Sequence, residues 1–386
     1  MKKIILLFIT CTLMSISLLA QDYRILRFGA VADGKTVNTK SIQAAIDKAH
    51  RKGGGRVIIP KGRFVSGSIV LKSNVEIHLE SEAVLLGSTN IDDYKKMTRW
   101  KALVMAEDQT NIAITGKGTL DGQGRQLALN IDSLFYIGQI DSAEYTFPEK
   151  RPREYLRPQV IEFVKCKNVK VTGVTVSNSA SWVQTYDRNK NLVIDSIRVI
   201  SDAYWNNDGM DILDCKNVRI TNCYVDSADD GICLKSFFKQ EACDSIYIGN
   251  CTIRSSASAI KFGTTSAGTF SNIVIENIKV FDTFRSAIAL ETFQSGTIEN
   301  ILIQNIEVVN TGNAIFLRLG RRYDSRPPGT LKNVVIKNMK AEIAFERPDY
   351  AYDIRGPALP FFHNIFPSSI TGLPDNPVEN IRLENI

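Results

Sequence analysis

A short pattern that recurs along most of the chain restricts its possible folds more than any other feature. Each copy opens with a turn residue, usually Asn, and continues with alternating apolar residues, as in Asn168-Val-Lys-Val-Thr-Gly and Asn217-Val-Arg-Ile-Thr-Asn. From Asn168 to Asn333 the copies are separated by 23, 26, 28, 27, 28 and 33 residues. Alternation at this period, with no helix between copies, predicts a strand that returns to the same place once in every coil.

The period and the composition of the repeat are compatible with one repeat architecture. Leucine-rich repeats need a leucine scaffold, and propeller blades need about forty residues each. The sequence therefore predicts an all-β fold, a right-handed single-stranded parallel β-helix whose coils stack about 4.8 Å apart. Such stacking places one set of asparagines in phase, where their amides can form a ladder: Asn222, Asn250, Asn277, Asn305 and Asn338.

Two pairs of cysteines also share a phase of the repeat. Cys215 lies one coil before Cys243, and Cys223 lies one coil before Cys251. The sequence favours a buried stack of small apolar side chains at these positions. A disulfide between adjacent coils is the alternative, because stacked coils bring the Cα atoms within bridging range.

The N-terminal region contains two further signals. Lys2 and Lys3 precede an apolar run that ends at Ala20, which predicts a secretory signal peptide over residues 1–20, one exported domain over residues 21–386, and no later membrane span. Thr39 to His50 is amphipathic, and its apolar face predicts a short N-terminal helix that covers the open end of the first coil. That face consists of Ile42, Ala45, Ile46 and Ala49.

Charge and histidine content exclude several function classes. The 47 Lys and Arg exceed the 41 Asp and Glu without forming a basic cluster, so nucleic acid is not an expected partner. The three histidines are far apart in the sequence, which argues against a histidine zinc site or a Ser-His-Asp triad. We expect a monomer that needs no cofactor and no metal.

The densest acidic signal spans two neighbouring coils. Asp208 and Asp230 are 22 residues apart, about one coil, and Asp229 precedes the second of them. Carboxylates this close raise the pKa of at least one member, and hydrolysis of a glycosidic bond requires one protonated and one ionised carboxyl group. The alternatives are that the Asp-Gly pairs only form turns, or that the oxygens bind calcium.

At these residues the sequence resembles the polygalacturonase family of glycoside hydrolases, family 28. The resemblance implies that Asp229 is the general acid, and that Asp208 and Asp230 hold and activate the water, with inversion at the anomeric carbon. It implies a polysaccharide or oligosaccharide as the partner. The similar motifs are Phe28-Gly-Ala-Val-Ala-Asp-Gly, Gly118-Thr-Leu-Asp-Gly-Gln-Gly124, Ser181-Trp182, Asn206-Asn207-Asp208 and Asp229-Asp230.

The sequence departs from the family where a galacturonate carboxylate is usually held. Ser258 replaces the supporting histidine, and Ala289 and Glu291 replace the family's Arg and Lys. We therefore expect a neutral sugar beside Glu291 and little activity on homogalacturonan. The candidate substrate-binding residues are Asn206, Trp205, Glu291 and three possible compensating cations, Lys235, Lys261 and Arg318. Trp182, Tyr186, Tyr204 and His363 are further candidates.

Two other functions are compatible with this fold. A polysaccharide lyase or epimerase would need cations at a uronate carboxylate, and the replaced clamp argues against it. A non-catalytic glycan-binding protein has no use for three clustered carboxylates. The stretch from Asp121 to Pro158 lacks the repeat and predicts a long loop beside the groove. That loop and the insertion at residues 357–377 favour cleavage from a chain end.

Overall fold

A computed structural model describes residues 21–147, 150–322, 327–349 and 367–386. Its strands form three stacked columns of parallel strands, here named sheets A, B and C, and successive coils pair within each column. The predicted parallel β-helix is thus confirmed. The predicted signal peptide and His363 lie outside the described residues. Within the described part, no helix has the length and apolar character of a membrane span.

Sheet A contains the strands of the asparagine repeat. It comprises β1 (Asp22–Arg24), β3 (Gly55–Ile59), β6 (Val75–Leu79), β9 (Thr110–Gly116), β14 (Lys167–Thr172), β17 (Lys190–Asp195), β20 (Lys216–Thr221), β23 (Ala242–Gly249), the first parts of β26 (Thr269–Thr292), β27 (Thr297–Leu319) and β28 (Thr330–Ile343), and β30 (Glu379–Glu384).

Sheet B follows sheet A in each coil. It comprises β2 (Asp33–Val37), β4 (Gly62–Ser66), β7 (Ala83–Gly87), β10 (Thr119–Asp121), β15 (Thr175–Ser177), β18 (Arg198–Ser201), β21 (Tyr224–Ser227), β24 (Thr252–Ser255) and the middle of β26 and β27.

Sheet C completes each coil and carries the acidic cluster. It comprises β5 (Ile69–Val70), β8 (Ala102–Glu107), β13 (Gln159–Val164), β16 (Gln184–Asp187), β19 (Met210–Leu213), β22 (Ile232–Ser236), β25 (Ile260–Ser266), the ends of β26 and β27, and β29 (Ser369–Thr371).

Aliphatic side chains stack along the inside of the helix. In sheet A one inward position holds Ile194, Ile220, Ile248, Ile275 and Ile303 in direct register, and each is fully buried. β-Branched residues suit this pleated, enclosed position, because adjacent strands pack their side chains against one another. The interior stack explains why the sequence alternates apolar and polar residues.

The asparagine ladder forms as predicted. Nδ2 of Asn250 donates to Oδ1 of Asn222, and Nδ2 of Asn277 donates to Oδ1 of Asn250 at 3.2 Å; Asn305 and Asn338 continue the series. Their backbones adopt the left-handed conformation, with φ of 56° at Asn250. Asn tolerates this conformation better than most residues, which explains its recurrence at the turns.

The N-terminal helix and the cysteines also agree with expectation. Helix α1 (Thr39–Arg51) buries Ile42, Ala45, Ile46 and Ala49. The six cysteines of the described chain are buried and unbridged, so the apolar stack is the correct interpretation.

The stretch from Asp121 to Pro158 is more ordered than predicted. It contains helix α2 (Gly124–Tyr136) and an antiparallel pair, β11 (Tyr145–Thr146) with β12 (Arg151–Pro152), so the prediction of a plain loop is wrong. The helix forms because Leu127, Ala128 and Ile131 share one face and pack against the core. Four single turns of 3-10 helix complete the secondary structure described: Ile25–Phe28, Ile91–Asp93, Ser142–Glu144 and Glu154–Leu156.

Candidate active site

The coil stack brings Asp208 and Asp230 to equivalent places at the start of β19 and β22. The Gly209 N–H donates to the Asp230 carbonyl oxygen at 2.8 Å, and Met210 lies in register with Ile232. A Cβ atom at Gly209 would lie 2.6 Å from the carbonyl oxygen of Gly231. Gly209 is therefore needed because two coils approach closely at this point. The close approach does not require an acid at position 208.

Asp208 belongs to a buried group of two acids and one cation. The Lys235 ammonium contacts Asp208 Oδ2 at 2.8 Å and also Oδ1 of Asp211. Burial raises the pKa of Asp208 well above its ordinary value, against the opposing charge of Lys235. Burial likewise raises the pKa of Asp211 to about 7. Two carboxyl groups therefore share one ammonium, an arrangement that favours a proton on one of them.

Lys235 remains charged in spite of its burial. Burial disfavours the ammonium, but the carboxylates of Asp208 and Asp211 raise the pKa of Lys235 well above its ordinary value. The ammonium also lies 3.9 Å from the ring centroid of Trp182, close enough for a cation–π interaction. The Lys235 ammonium therefore pairs with the carboxyl groups of Asp208 and Asp211 and holds both in position.

Asp230 has a different environment. The Lys261 ammonium lies 3.0 Å from Asp230 Oδ2, and the Ser258 N–H donates to Asp230 Oδ1 at 3.2 Å. Burial acts to raise the pKa of Asp230, but Lys261 outweighs it, with help from Lys235 and Arg285, so that the pKa falls below its ordinary value. Asp230 is consequently held in its ionised form.

Asp229 lies at the same edge and is less buried than its neighbours. Its Oδ1 accepts the N–H of Asp230 at 3.0 Å. Its carbonyl oxygen accepts the hydroxyl groups of Ser227 at 2.9 Å and Ser255 at 2.7 Å. These bonds fix the backbone of the turn, and Asp229 itself is half-buried, whereas Asp208 and Asp230 are buried.

The charges of this site fit acid–base chemistry better than cation binding. One oxygen each of Asp208 and Asp230 and the sulfur of Cys233 lie within 4.8 Å of one another. Lys235 and Lys261 already contact these two carboxylates, so ammonium groups occupy positions that a metal ion would need. The donor set therefore does not fit the predicted calcium alternative.

Glu291 and Arg318 are neighbours on the C-terminal side of the acids. The two residues lie in register on β26 and β27, as the shared phase predicted. Burial raises the pKa of Glu291, although Lys261, Arg285 and Arg318 act to lower it. Arg318 is exposed and its guanidinium lies 5.3 Å from the ring centroid of Phe293. This side of the site thus combines a partly buried carboxyl group with an exposed guanidinium.

The aromatic candidates are packed against protein. Trp205 is 5% exposed, and the guanidinium of Arg151 lies 5.0 Å from its ring centroid. Tyr186 and Tyr204 are fully buried. Trp182 packs with Trp100 at a centroid distance of 4.8 Å. None of these four predicted rings presents an open face to a sugar in this conformation.

Asn206 contacts two arginines from the preceding insertion. Its Oδ1 accepts hydrogen bonds from Arg151 Nη1 at 2.9 Å and Arg157 Nη2 at 2.8 Å. Neither these arginines nor Asp211 were among the residues predicted from the sequence. Asp211 could have been found from its spacing, because it lies 24 residues before Lys235, about one coil. No spacing in the sequence indicates the two arginines, because their positions depend on the path of the insertion.

Comparison with known proteins identifies the family of this chain. The family model of glycosyl hydrolases family 28 matches residues 52–344. The chain belongs to this family. Membership in a family of glycosyl hydrolases agrees with the predicted enzyme class, and the comparisons do not favour the lyase, epimerase or glycan-binding alternatives.

Similar proteins include plant and bacterial enzymes. A probable polygalacturonase of Vitis vinifera is 29% identical over 58% of this chain and 46% of its own length. An exo-poly-alpha-D-galacturonosidase of Dickeya chrysanthemi is 26% identical over 66% of this chain and 49% of its own length. The chain spans about half the length of these two curated relatives.

One solved structure is similar over most of both chains. An exopolygalacturonase from Thermotoga maritima matches with a TM-score of 0.68 and 28% identity, over 83% of this chain and 81% of the other. The family and the β-helix architecture are therefore supported by sequence and by structure together.

Proposed function

We propose that this glycoside hydrolase is an exported enzyme that cleaves α-glycosidic bonds in a pectic or related glycan with inversion. The observation that supports the proposal most strongly is the different environment of the three acids. Lys261 holds Asp230 ionised, Asp208 shares Lys235 with Asp211, and Asp229 is only half-buried. An acid and a base in separate environments are what this reaction needs.

The proposed reaction assigns one role to each acid. Asp229 donates its proton to the oxygen of the leaving sugar as the glycosidic bond breaks. Asp208 and Asp230 hold a water on the opposite face of the sugar ring, and the carboxylate of this pair accepts a proton as the water attacks the anomeric carbon. Lys235 and Lys261 set the ionisation of the base pair without touching the substrate.

We propose that cleavage occurs at a chain end. On the N-terminal side of β19, the outward face of sheet C is covered by the segment that contains Trp100. Glu162 of that face accepts the hydroxyl of Thr98 at 2.6 Å and the N–H of Trp100 at 3.2 Å. Trp182, Tyr155 and Phe237 pack in the same cluster. A groove with one covered end favours removal of terminal sugars.

We further propose that the sugar beside Glu291 is neutral. Ala289 and Glu291 stand where the family's cations grip a galacturonate carboxylate, and Glu291 would repel a uronate at short range. Lys261 is bonded to Asp230 and is therefore not free to replace those cations. Activity on homogalacturonan should consequently be low.

A panel of α-linked oligosaccharides tests the proposal. Purified protein is incubated with homogalacturonan and with pectic oligosaccharides in which rhamnose or galactose follows the scissile bond, and released reducing ends are measured. We expect release of terminal sugars from the mixed oligosaccharides and little from homogalacturonan. Robust release of galacturonic acid from homogalacturonan would contradict the neutral-sugar assignment, and an ultraviolet-absorbing unsaturated product would contradict hydrolysis.

A substitution at Glu291 separates its effect from that of the missing cations. Glu291→Lys should weaken the native activity without creating efficient cleavage of homogalacturonan, because the Arg and His equivalents are still absent. Efficient cleavage by this variant would mean that Glu291 alone sets the preference.

A further inference from the structure

A buried group of charged side chains lies in sheet B, directly before the turn that carries Asp229. Arg254 of β24 is 8% exposed and lies in register with Asp226 of β21. Nη1 of Arg254 contacts Oδ1 of Asp226 at 3.1 Å, and Nη2 contacts Oδ1 of Asp349. Asp349 is also buried, and it lies 95 positions from Arg254 in the sequence. One guanidinium therefore joins two strands of sheet B to a distant segment of the chain.

The residues that follow these two strand positions hold the turn of Asp229. Ser227 follows Asp226, and Ser255 follows Arg254. Both serine hydroxyl groups donate to the carbonyl oxygen of Asp229, at 2.9 Å and 2.7 Å. The position of this carbonyl group thus depends on how β21 and β24 are held relative to each other, and the Arg254 guanidinium bridges the two strands at this point.

The distant segment, residues 344–349, crosses several coils before it reaches Arg254. Its contacts fall on successively earlier strands of the β-helix. They are the N–H of Ala344 with the carbonyl oxygen of Thr311 on β27 at 3.0 Å, the guanidinium of Arg347 with the ring of Phe284 on β26 at 5.6 Å, and the carboxylate of Asp349 with Arg254 on β24. The segment therefore runs back towards the coil of the acids.

Stability alone does not explain a charged contact at this place. Burial of ionised groups costs free energy that their mutual attraction offsets only in part, and an apolar contact is often at least as stabilising. The same two strands already pack Val225 against Ile253 on the inward face, where both residues are buried. The guanidinium adds direction to this packing, because its hydrogen bonds fix both the strands and segment 344–349.

We infer that Arg254 is a positioning residue for the general acid. It holds the turn of Asp229 so that the carboxyl group is directed at the oxygen of the leaving sugar, and Asp349 holds the guanidinium in place. Arg254 acts through the turn and not by contact with the substrate. The inference rests on the proposed function, in which Asp229 donates the proton, and deepens it by naming the residues that orient the donor.

A change of leaving group tests this role. A pectic oligosaccharide in which rhamnose follows the scissile bond needs a proton on its leaving oxygen, whereas the α-fluoride of the same terminal sugar releases fluoride with little help from an acid. Arg254→Met should lower kcat on the oligosaccharide about 10- to 100-fold and leave KM and the fluoride reaction within about threefold. Arg254→Lys keeps a cation and should lie between. Reducing-end release and a fluoride electrode measure the two reactions.

Further variants keep the test decisive if Arg254→Met does not fold. Asp349→Asn removes the charge of the distant segment and leaves Arg254 paired with Asp226. It should lower kcat on the oligosaccharide about threefold to tenfold and leave the fluoride reaction within about twofold. Arg198→Met is the matched control in sheet B, because Arg198 is exposed and its guanidinium lies 4.5 Å from the ring centroid of Tyr224. It should change neither rate, and thermal unfolding checks that each variant is folded.

The pattern across the two substrates separates positioning from a general structural role. Equal losses on both substrates in Arg254→Lys and Asp349→Asn, or no loss on either, would overturn the inference. Asp229→Asn is measured beside them and should lose the oligosaccharide reaction while it keeps the fluoride reaction. If Asp229→Asn keeps both reactions, the proposed acid is wrong. If it behaves as expected and the Arg254 and Asp349 variants do not, the proposed function stands and only the positioning role is rejected.

Discussion

Sheet A and sheet C are built from the same coils, and they differ in what their outward positions carry. On sheet A, the outward residues Lys170, Val193 and Arg219 are exposed. They lie in register on adjacent strands of the asparagine repeat. On sheet C, the corresponding outward series is buried and, apart from Cys233, polar or charged: Glu162, Thr185, Asp211, Cys233 and Lys261. Burial of polar groups costs free energy unless they are paired. Sheet A therefore maintains the fold, whereas sheet C buries paired charged groups whose free-energy cost is explained by the proposed chemistry.

The largest expected contrast between the two sheets is in catalysis. Asp229→Asn should lower kcat by about 10²- to 10⁴-fold, because it removes the proton donor. Asp195→Asn is the matched change on sheet A, where Asp195 accepts bonds from Thr221 and Asn222. We expect Asp195→Asn to keep kcat within about twofold. Steady-state kinetics on the preferred oligosaccharide measures both, and equal losses would remove the functional distinction.

A second contrast concerns buried and exposed lysines. Lys235→Met leaves Asp208 and Asp211 without their shared cation, and loss of one member of a buried ion pair costs about 3–5 kcal/mol. Lys279, which is 71% exposed beside Glu307, is the matched control, and Lys279→Met should cost at most about 1 kcal/mol. Denaturant unfolding measures both free energies. A loss below about 1 kcal/mol at Lys235 would show that the buried group is not held together by this cation.

The third contrast is in pH dependence. Burial raises the pKa of Asp214 to about 6 and that of Asp211 to about 7. An acid whose pKa is raised by folding favours the folded state while it is protonated, and this contribution is lost as pH rises from the unfolded pKa to the folded pKa. Between pH 5 and pH 8, the free energy of unfolding should therefore fall up to about pH 7 and change little above it.

Asp214→Asn isolates one part of this pH effect. It should reduce the fall by about 1 kcal/mol, since a pKa near 6 is titrated within the interval and Asn does not ionise. Asp195 has a lowered pKa and should contribute nothing above pH 5. A slope in Asp214→Asn equal to that of the unmodified protein would show that Asp214 does not titrate in this range.

The last contrast, which affects stability and not catalysis, lies in the asparagine ladder of sheet A. Asn250→Ala places an L side chain without a local hydrogen bond at φ of 56°, which costs about 1–2 kcal/mol. Asn250→Gly keeps the backbone free to adopt this conformation and should be more stable than the Ala variant by about 1 kcal/mol. Both variants should retain kcat. Thermal unfolding compares them, and equal stability would mean that the left-handed turn does not select Asn.

The sequence predicts sheet A well because its signals are local and periodic. The turn asparagines and the inward isoleucines recur at nearly constant intervals, so register follows from spacing alone. The acidic cluster could be located for the same reason, since Asp208 and Asp230 are one coil apart. Helix α2 was missed because it lies in an insertion where no repeat constrains the chain.

Side-chain partners on sheet C are harder to predict. Lys235 and Lys261 were predicted as cations for the substrate, but spacing does not tell whether a lysine faces a substrate or a neighbouring acid. In the structure both contact aspartates. The contact of Arg151 with Asn206 joins residues 55 positions apart. It depends on how the insertion folds back on the coil, which no local pattern encodes.

An inverting acid–base site on sheet C determines the anomeric configuration of the first product, and this configuration can be measured. Proton NMR follows the anomeric signals during the first minutes of hydrolysis of an α-linked oligosaccharide, before mutarotation mixes the anomers. Water attack from the side opposite the leaving group predicts that the β anomer appears first. If the α anomer appears first, the reaction proceeds with retention, and the assignment of Asp208 and Asp230 as the pair that activates water is contradicted.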